Sequence, residues 1–308
     1  MNLRKLESND YMELDLLEEN QIFGDNRLNI FKKYGNQAAI TDFAILLGSY
    51  VSMFHIKEGN EYKYRTNYWW LKTDNNNHNA FVVGTDGNIN FFDINRRDGG
   101  IRPKLSYSSI SNFSFNKNKT TNKIIEIEYG EYPQYIVDEK NSNELESVYK
   151  NGKIKITSKE YIVDSVYMNA YDIKFNERKL IEYKYNGQKY IRFIGDSNCE
   201  EKTLSDGRRI KEGEIYWVKV DPITWLVDEE KNIAITKKII VSGVQFNNKR
   251  NYKGDFKDTN MYKFMNTYLI KDMFDNVSIY KENNNSKEFV DINNKIKTLR
   301  KRIDNIRK

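Results

Sequence analysis

The sequence predicts a sheet-rich α+β protein closed by a C-terminal amphipathic helix. Three observations predict it. The 308 residues include 22 Tyr and 16 Phe, an aromatic share of 14% that suits strands and half-buried faces needing a polar tip. Short apolar runs alternate with polar residues around Asp-Gly and Asn-Gly turns. Residues 289–306 carry an apolar repeat of helical period.

Residues 1–110 read as one lobe. Ser8-Asn9-Asp10 precedes Tyr11, Leu14, Leu16 and Leu17, and Asn26 precedes Leu28, Ile30, Phe31 and Tyr34, each a polar cap before an apolar face. Gly35-Asn36 ends the second helix, and Thr41-Asp42 caps a third that carries Phe43 to Val51. The period then becomes strand-like in Tyr68–Leu71, Ala80–Val83 and Ile89–Phe92, with Asp86-Gly87 turning the last two into a hairpin.

Residues 111–123 are polar enough to be a linker, and 124–280 form a second, sheet-rich lobe. Ile125, Ile127 and Tyr129 alternate as a strand, and Glu144 to Tyr149 is a short helix. Asn186-Gly187 joins the clearest hairpin. Strands follow at Ile215–Val218, Thr224–Val227 and Ile233–Ile235, then a helix over Met261–Phe274. The three prolines, Pro103, Pro133 and Pro222, are expected at strand edges or starts, where a missing N–H is harmless.

In the closing segment, 281–308, Phe289, Ile292, Ile296, Leu299, Ile303 and Ile306 are spaced 3, 4, 3, 4 and 3 apart, an a/d seam that something must cover. The body, a second copy of the chain or another protein could each cover it. Nine Lys/Arg against four acids in this segment hold most of the net charge of +6. A nucleic-acid-associated or host-defence-inhibiting protein is therefore the alternative reading, acting through Lys295, Lys297, Arg300, Lys301 and Arg302 of this basic helix.

Tests for chemistry come out negative, so no catalytic residue is named. His55 and His78 have no metal-ligand spacing, and no calcium loop is present; neither a metal nor a cofactor is expected. The lone Cys199 lies among acids that raise its pKa, and it excludes an intrachain disulfide, which together with the absence of a leader or a long apolar run leads to the expectation of a cytoplasmic protein without membrane contact. Phosphate-cradling, dinucleotide and nucleophile-elbow motifs are absent. Paired carboxylates assemble only on folding, which leaves an enzyme with a carboxylate or arginine site as a further alternative.

Four segments, Tyr129 to Gln134 (Gly-x-Tyr-Pro-Gln), Pro222 to Trp225 (Pro-Ile-x-Trp), Trp70 to Thr73 (Trp-Leu-x-Thr) and Gly100 to Pro103 (Gly-Ile-Arg-Pro), resemble the motifs of a bacterial domain of unknown function, number 6273. The resemblance covers most of residues 35–275, with the usual closing half standing first. It implies a fold similar to C-type lectins and sulfatase-modifying factors, with a variable loop surface for ligand capture. Here that surface is Asp74 to Asn79 together with the Asn95–Asp98 turn, which makes Asn75, Asn77, His78, Arg96, Arg97 and Asp98 the candidate ligand residues. Arginine forks there could hold carboxylates or phosphates bidentately. The motifs of calcium-dependent sugar binding and the cysteine pair of the formylglycine-generating branch are absent. The expectation is a non-catalytic binding or interaction protein. Its Asn- and Lys-rich composition is similar to that of AT-rich bacteria and their phages or plasmids, which implies a mobile-element role.

Overall fold

The computed structural model of the protein describes residues 12–58, 61–74, 78–106, 119–121, 124–164, 177–248, 254–274, 279–283 and 286–290. The heptad seam from Ile292 to Ile306, and with it the basic residues Lys295 to Arg302, lies outside them, as do Asn75 and Asn77.

The chain begins with extended backbone. The helix expected over Leu14, Leu16 and Leu17 does not form, because tertiary partners claim its backbone. Leu14 N–H donates to Asn266 Oδ1 (2.9 Å), Leu14 C=O accepts from Asn266 Nδ2 (2.8 Å), and Asp15 exchanges backbone bonds with Lys104. The three leucines are buried all the same. Helix α1 (Asn29–Tyr34) ends at Gly35, whose φ of 74° suits glycine. Strand β1 (Ala38–Ala39) leads to α2 (Asp42–Leu46), capped by Thr41 Oγ1 accepting from Ala44 N–H. The helix stops well short of Val51.

Strands β2 (His55–Glu58) and β3 (Glu61–Asn67) join β1 in a three-stranded sheet, and β4 (Trp69–Trp70), β5 (Asn79–Val83) and β6 (Ile89–Asp93) make a second. The hairpin at Asp86-Gly87 is present, with Gly87 at φ 85°.

An eight-stranded sheet holds the rest. Strand β7 (Lys104–Ser106) is its contribution from the first half. Strand β8 (Lys119–Thr121) falls inside the expected linker and pairs with β9 (Ile124–Ile136). Helix α3 (Glu139–Lys150) follows, then β10 (Lys155–Asp164) and the hairpin of β11 (Glu177–Tyr185) and β12 (Gln188–Ile194). Asn186 and Gly187 both adopt positive φ, as a two-residue hairpin loop requires.

Strand β13 (Ile215–Asp228) replaces the two strands expected there and runs through Pro222. One of its edges pairs with β9, while along the other its partner changes from β12, ending at Val220, to β14 (Ile233–Thr236), beginning at Trp225. Pro222 stands in the gap between those partners, where its missing N–H leaves no ladder bond unmade.

Helix α4 (Asn260–Phe264), a π-helical turn (Met265–Leu269) and α5 (Ile270–Met273) succeed one another without a break. Beyond them β15 (Ile279–Asn283) pairs with β16 (Ser286–Val290). Phe289 is thus paired with Tyr280 in a hairpin instead of opening a helix.

A single hydrophobic cluster draws on both halves, from Met12 and Trp69 through Trp225 to Phe274. The halves are also stitched by backbone: β7 joins β14, Ile101 pairs with Val241, and Ile40 with Ile239. The two expected lobes therefore share one core. A smaller cluster under α3 centres on Trp217, ringed by Tyr149, Tyr183 and Tyr190.

Candidate functional site

The four sequence motifs meet in pairs. Pro222 pairs with Glu131 across β13 and β9, Gln134 Nε2 donates to the carbonyls of Asp221 (3.1 Å) and Pro222 (2.7 Å), and Trp225 Nε1 donates to Tyr129 C=O (2.8 Å). In the other pair, Trp70 N–H donates to Gly100 C=O (3.0 Å), and the Arg102 guanidinium lies 5.1 Å from the Trp69 ring centroid. Arg102 is fully buried and donates to Thr236 C=O at 2.6 Å. These residues build the fold.

The open site lies on the smaller sheets. Strand alternation turns Asn90 and Phe92 of β6 into a cleft of about 310 Å³ that Tyr50, Phe54, Tyr68 and Arg96 also line. Tyr50 is tied by its N–H to Asp98 C=O (2.9 Å), which also accepts from Asn67 Nδ2 (2.8 Å). Phe54 C=O accepts from Thr66 N–H (3.1 Å), so the backbone is fixed although the Phe54 ring is 55% exposed. Tyr68 is buried, and its hydroxyl donates to Asp98 Oδ1.

Arg96 is laid over this aromatic ground, its guanidinium 4.9 Å from the Phe92 centroid and 5.5 Å from that of Tyr68. Its fork is already engaged: Nε donates to Asp98 Oδ1 (2.9 Å) and Nη2 to Asp98 Oδ2 (2.6 Å). Burial pulls the Asp98 carboxyl upwards, but hydrogen bonds from Arg96 and Tyr68 outweigh it and hold the pKa below the usual carboxylate value. The same hydrogen bond to Asp98 raises the Arg96 pKa. The pair is an ionised, internally neutral unit, and only Nη1 of Arg96 has no protein partner among the described residues. The bidentate grip on an anion expected from the sequence is therefore made on Asp98.

Two polar side chains complete the cleft. Asp86 accepts from Asn88 N–H (3.0 Å) and Asn88 Nδ2 (2.8 Å), bonds that lower its pKa, and it has no cationic partner among the described residues. Asn90 Oδ1 accepts from Phe91 N–H (2.8 Å), and its amide NH2 has no protein partner among the described residues.

Arg97 goes elsewhere. Nη1 donates to Asp164 Oδ2 (2.6 Å) and to Gly243 C=O (3.2 Å), with both charged side chains 2% exposed. It lies at the base of a second cleft of about 360 Å³ that Gln245, Asn248, Lys263 and Thr267 also line. Consecutive arginines thus serve separate clefts. His78 is exposed and lines neither; its carbonyl accepts from Ile94 N–H (2.9 Å). Asp74 is turned to Phe256, whose N–H it accepts at 2.9 Å. Among the described candidate ligand residues, only Arg96 lines the aromatic cleft, with Asp98 behind it. Tyr50, Phe54, Asp86 and Asn90 carried no signal that sequence reasoning used: Tyr50 fell in an expected helix and Asp86 in a turn.

The acids whose pKa burial raises lie outside both clefts. Asp272 is pushed up to about 8 while accepting from Ile162 N–H (2.8 Å). Asp42, raised by burial, accepts from the N–H and hydroxyl of Ser205, both at 2.7 Å, and so pins α2 to a distant loop. Burial also drives the Cys199 thiol up to about 11, which makes it a poor nucleophile. Among the described residues no group of three or more His, Cys, Asp or Glu could hold a metal ion, and no helix is long and apolar enough to cross a membrane.

In comparisons with known proteins, no family model, no curated protein and no solved structure matches the chain.

Proposed function

We propose that the protein is a non-catalytic binding protein that captures a flat, ring-bearing ligand in the Arg96 cleft. The observation that carries this reading is the guanidinium of Arg96, neutralised by Asp98 and laid on Phe92 and Tyr68 beside the exposed rings of Tyr50 and Phe54. A planar, weakly hydrated cation over aromatic rings offers a stacking face. Open phenyl and phenol rings beside it gain by being covered. The cleft size falls at the low end of small-molecule sites. In its lining the Tyr68 hydroxyl is spent on Asp98 and burial holds its pKa well above the ordinary tyrosine value, which favours capture over turnover.

The reading extends to membership of the domain-of-unknown-function 6273 family, with its lectin-like fold. What supports that extension is that the four motifs meet two by two in space.

Ligand-observed NMR on the full chain with indole and benzamide as ring probes tests the binding reading. Saturation transfer to the probes, lost in Phe54→Ala and Tyr50→Ala but kept in a variant of the second cleft such as Thr267→Ala, is the expected result. Equal transfer in all variants would overturn it.

A further inference from the structure

We infer that the Arg96 cleft is a nucleobase site with a preference for guanine, an inference that rests on the binding reading above. Charge narrows the ligand first. Arg96 and Asp98 cancel, and the remaining charged lining group is Asp86, so the cleft carries about one negative charge and repels a ligand whose anionic part must enter it. A cation could pair with Asp86 but would lie against the guanidinium of Arg96, whereas a neutral ring meets no like charge there. A neutral planar ring suits both conditions. Bases stack on arginine planes and aromatic side chains alike.

Hydrogen-bonding capacity narrows it further. Each Asp86 oxygen accepts one bond from Asn88 and keeps acceptor capacity for another. Two acceptors on one carboxylate call for two adjacent N–H donors on the ring. Asn90 Nδ2 remains as a donor, which calls for an acceptor elsewhere on the same ring. Guanine presents N1–H and N2–H side by side, with O6 and N7 as acceptors. Adenine and cytosine offer a single exocyclic amino group. A free nucleoside and a base displayed by a single strand share this chemistry.

Calorimetric titration of the full chain tests the inference, using guanosine, adenosine, guanosine monophosphate and a short single-stranded DNA containing one guanine, with indole as a ring probe that lacks the paired donors. Guanosine is expected to bind at least about tenfold more tightly than adenosine, the order of discrimination one good bidentate pair supplies. Asp86→Asn should erase that preference, with guanosine falling to the affinity of adenosine. It keeps an oxygen for Asn88 N–H, so the turn is preserved. Asn90→Ala, on the exposed face of β6, is the second variant and should weaken guanosine severalfold. A strand that binds more tightly than guanosine supports the site and assigns it to nucleic acid; guanosine at least as tight supports it and assigns it to nucleosides. Equal binding of guanosine and adenosine, or a monophosphate much tighter than guanosine, overturns the guanine assignment. So does indole binding with no nucleoside binding, and that result leaves the cleft reading standing. Absence of binding by indole and the nucleosides overturns both.

Discussion

Gly130 and Phe274 are in such close contact that a Cβ on Gly130 would stand 2.6 Å from the Phe274 ring and 2.7 Å from the carbonyl of Met273. Gly130 also has φ 69°, in the left-handed region, and the Phe274 ring stacks on Tyr129 at 4.8 Å and on Trp225 at 6.3 Å. The glycine of the Gly-x-Tyr-Pro-Gln motif is thus a seat for the end of α5 on β9. Gly130→Ala should destabilise the fold by about 3 kcal/mol, adding backbone strain to overpacking. A fall in the urea midpoint at unchanged slope checks this.

This contact marks the limit of what the sequence makes legible. Local signals read correctly where the determinant is local: Asn186-Gly187 and Asp86-Gly87 turn hairpins, and Thr41 caps α2. They fail where a distant partner decides. Leu14 has helical neighbours in sequence, but Asn266 takes its backbone donor and acceptor. Pro222 looks like the end of a strand and stands inside one, because the gap between β12 and β14 is set by residues far along the chain. The site follows the same rule. Arg96 was nameable as a residue type, whereas its engagement by Asp98 and its rings from residues 50, 54 and 92 required the fold.

Asp272 ties stability to pH. Burial pushes its folded pKa up to about 8, whereas in the unfolded chain an aspartate titrates near ~4. Between these values the folded protein retains a proton that the unfolded chain has released. The contribution is therefore fully present below ~4 and is lost as pH rises through about 8. Asp272→Asn keeps an acceptor for Ile162 N–H and removes the titration. Its urea midpoint should fall less steeply than that of the unaltered protein between pH ~5 and ~8.

Asp98→Asn tests the neutral pair. Losing the carboxylate frees the Arg96 fork and leaves the buried Tyr68 hydroxyl a weaker acceptor, at a cost of about 1–3 kcal/mol in stability. The cleft should then gain affinity for inorganic phosphate, detectable by 31P NMR line broadening absent from the unaltered protein.

The apolar seam from Ile292 to Ile306 predicts an association surface. With a second copy of the chain as its cover, removing residues 291–308 should lower the mass seen in light scattering to that of a monomer while leaving the free energy of unfolding of the body within about 1 kcal/mol of its value at matched concentration.

Because the four motifs meet across strands and not along the chain, the contacts that define the body are indifferent to which half the ribosome makes first. Gly130 would still seat Phe274, and Arg102 would still cover Trp69, if the halves were encoded in the opposite order. The order of the halves along the chain is thus not written into these two contacts.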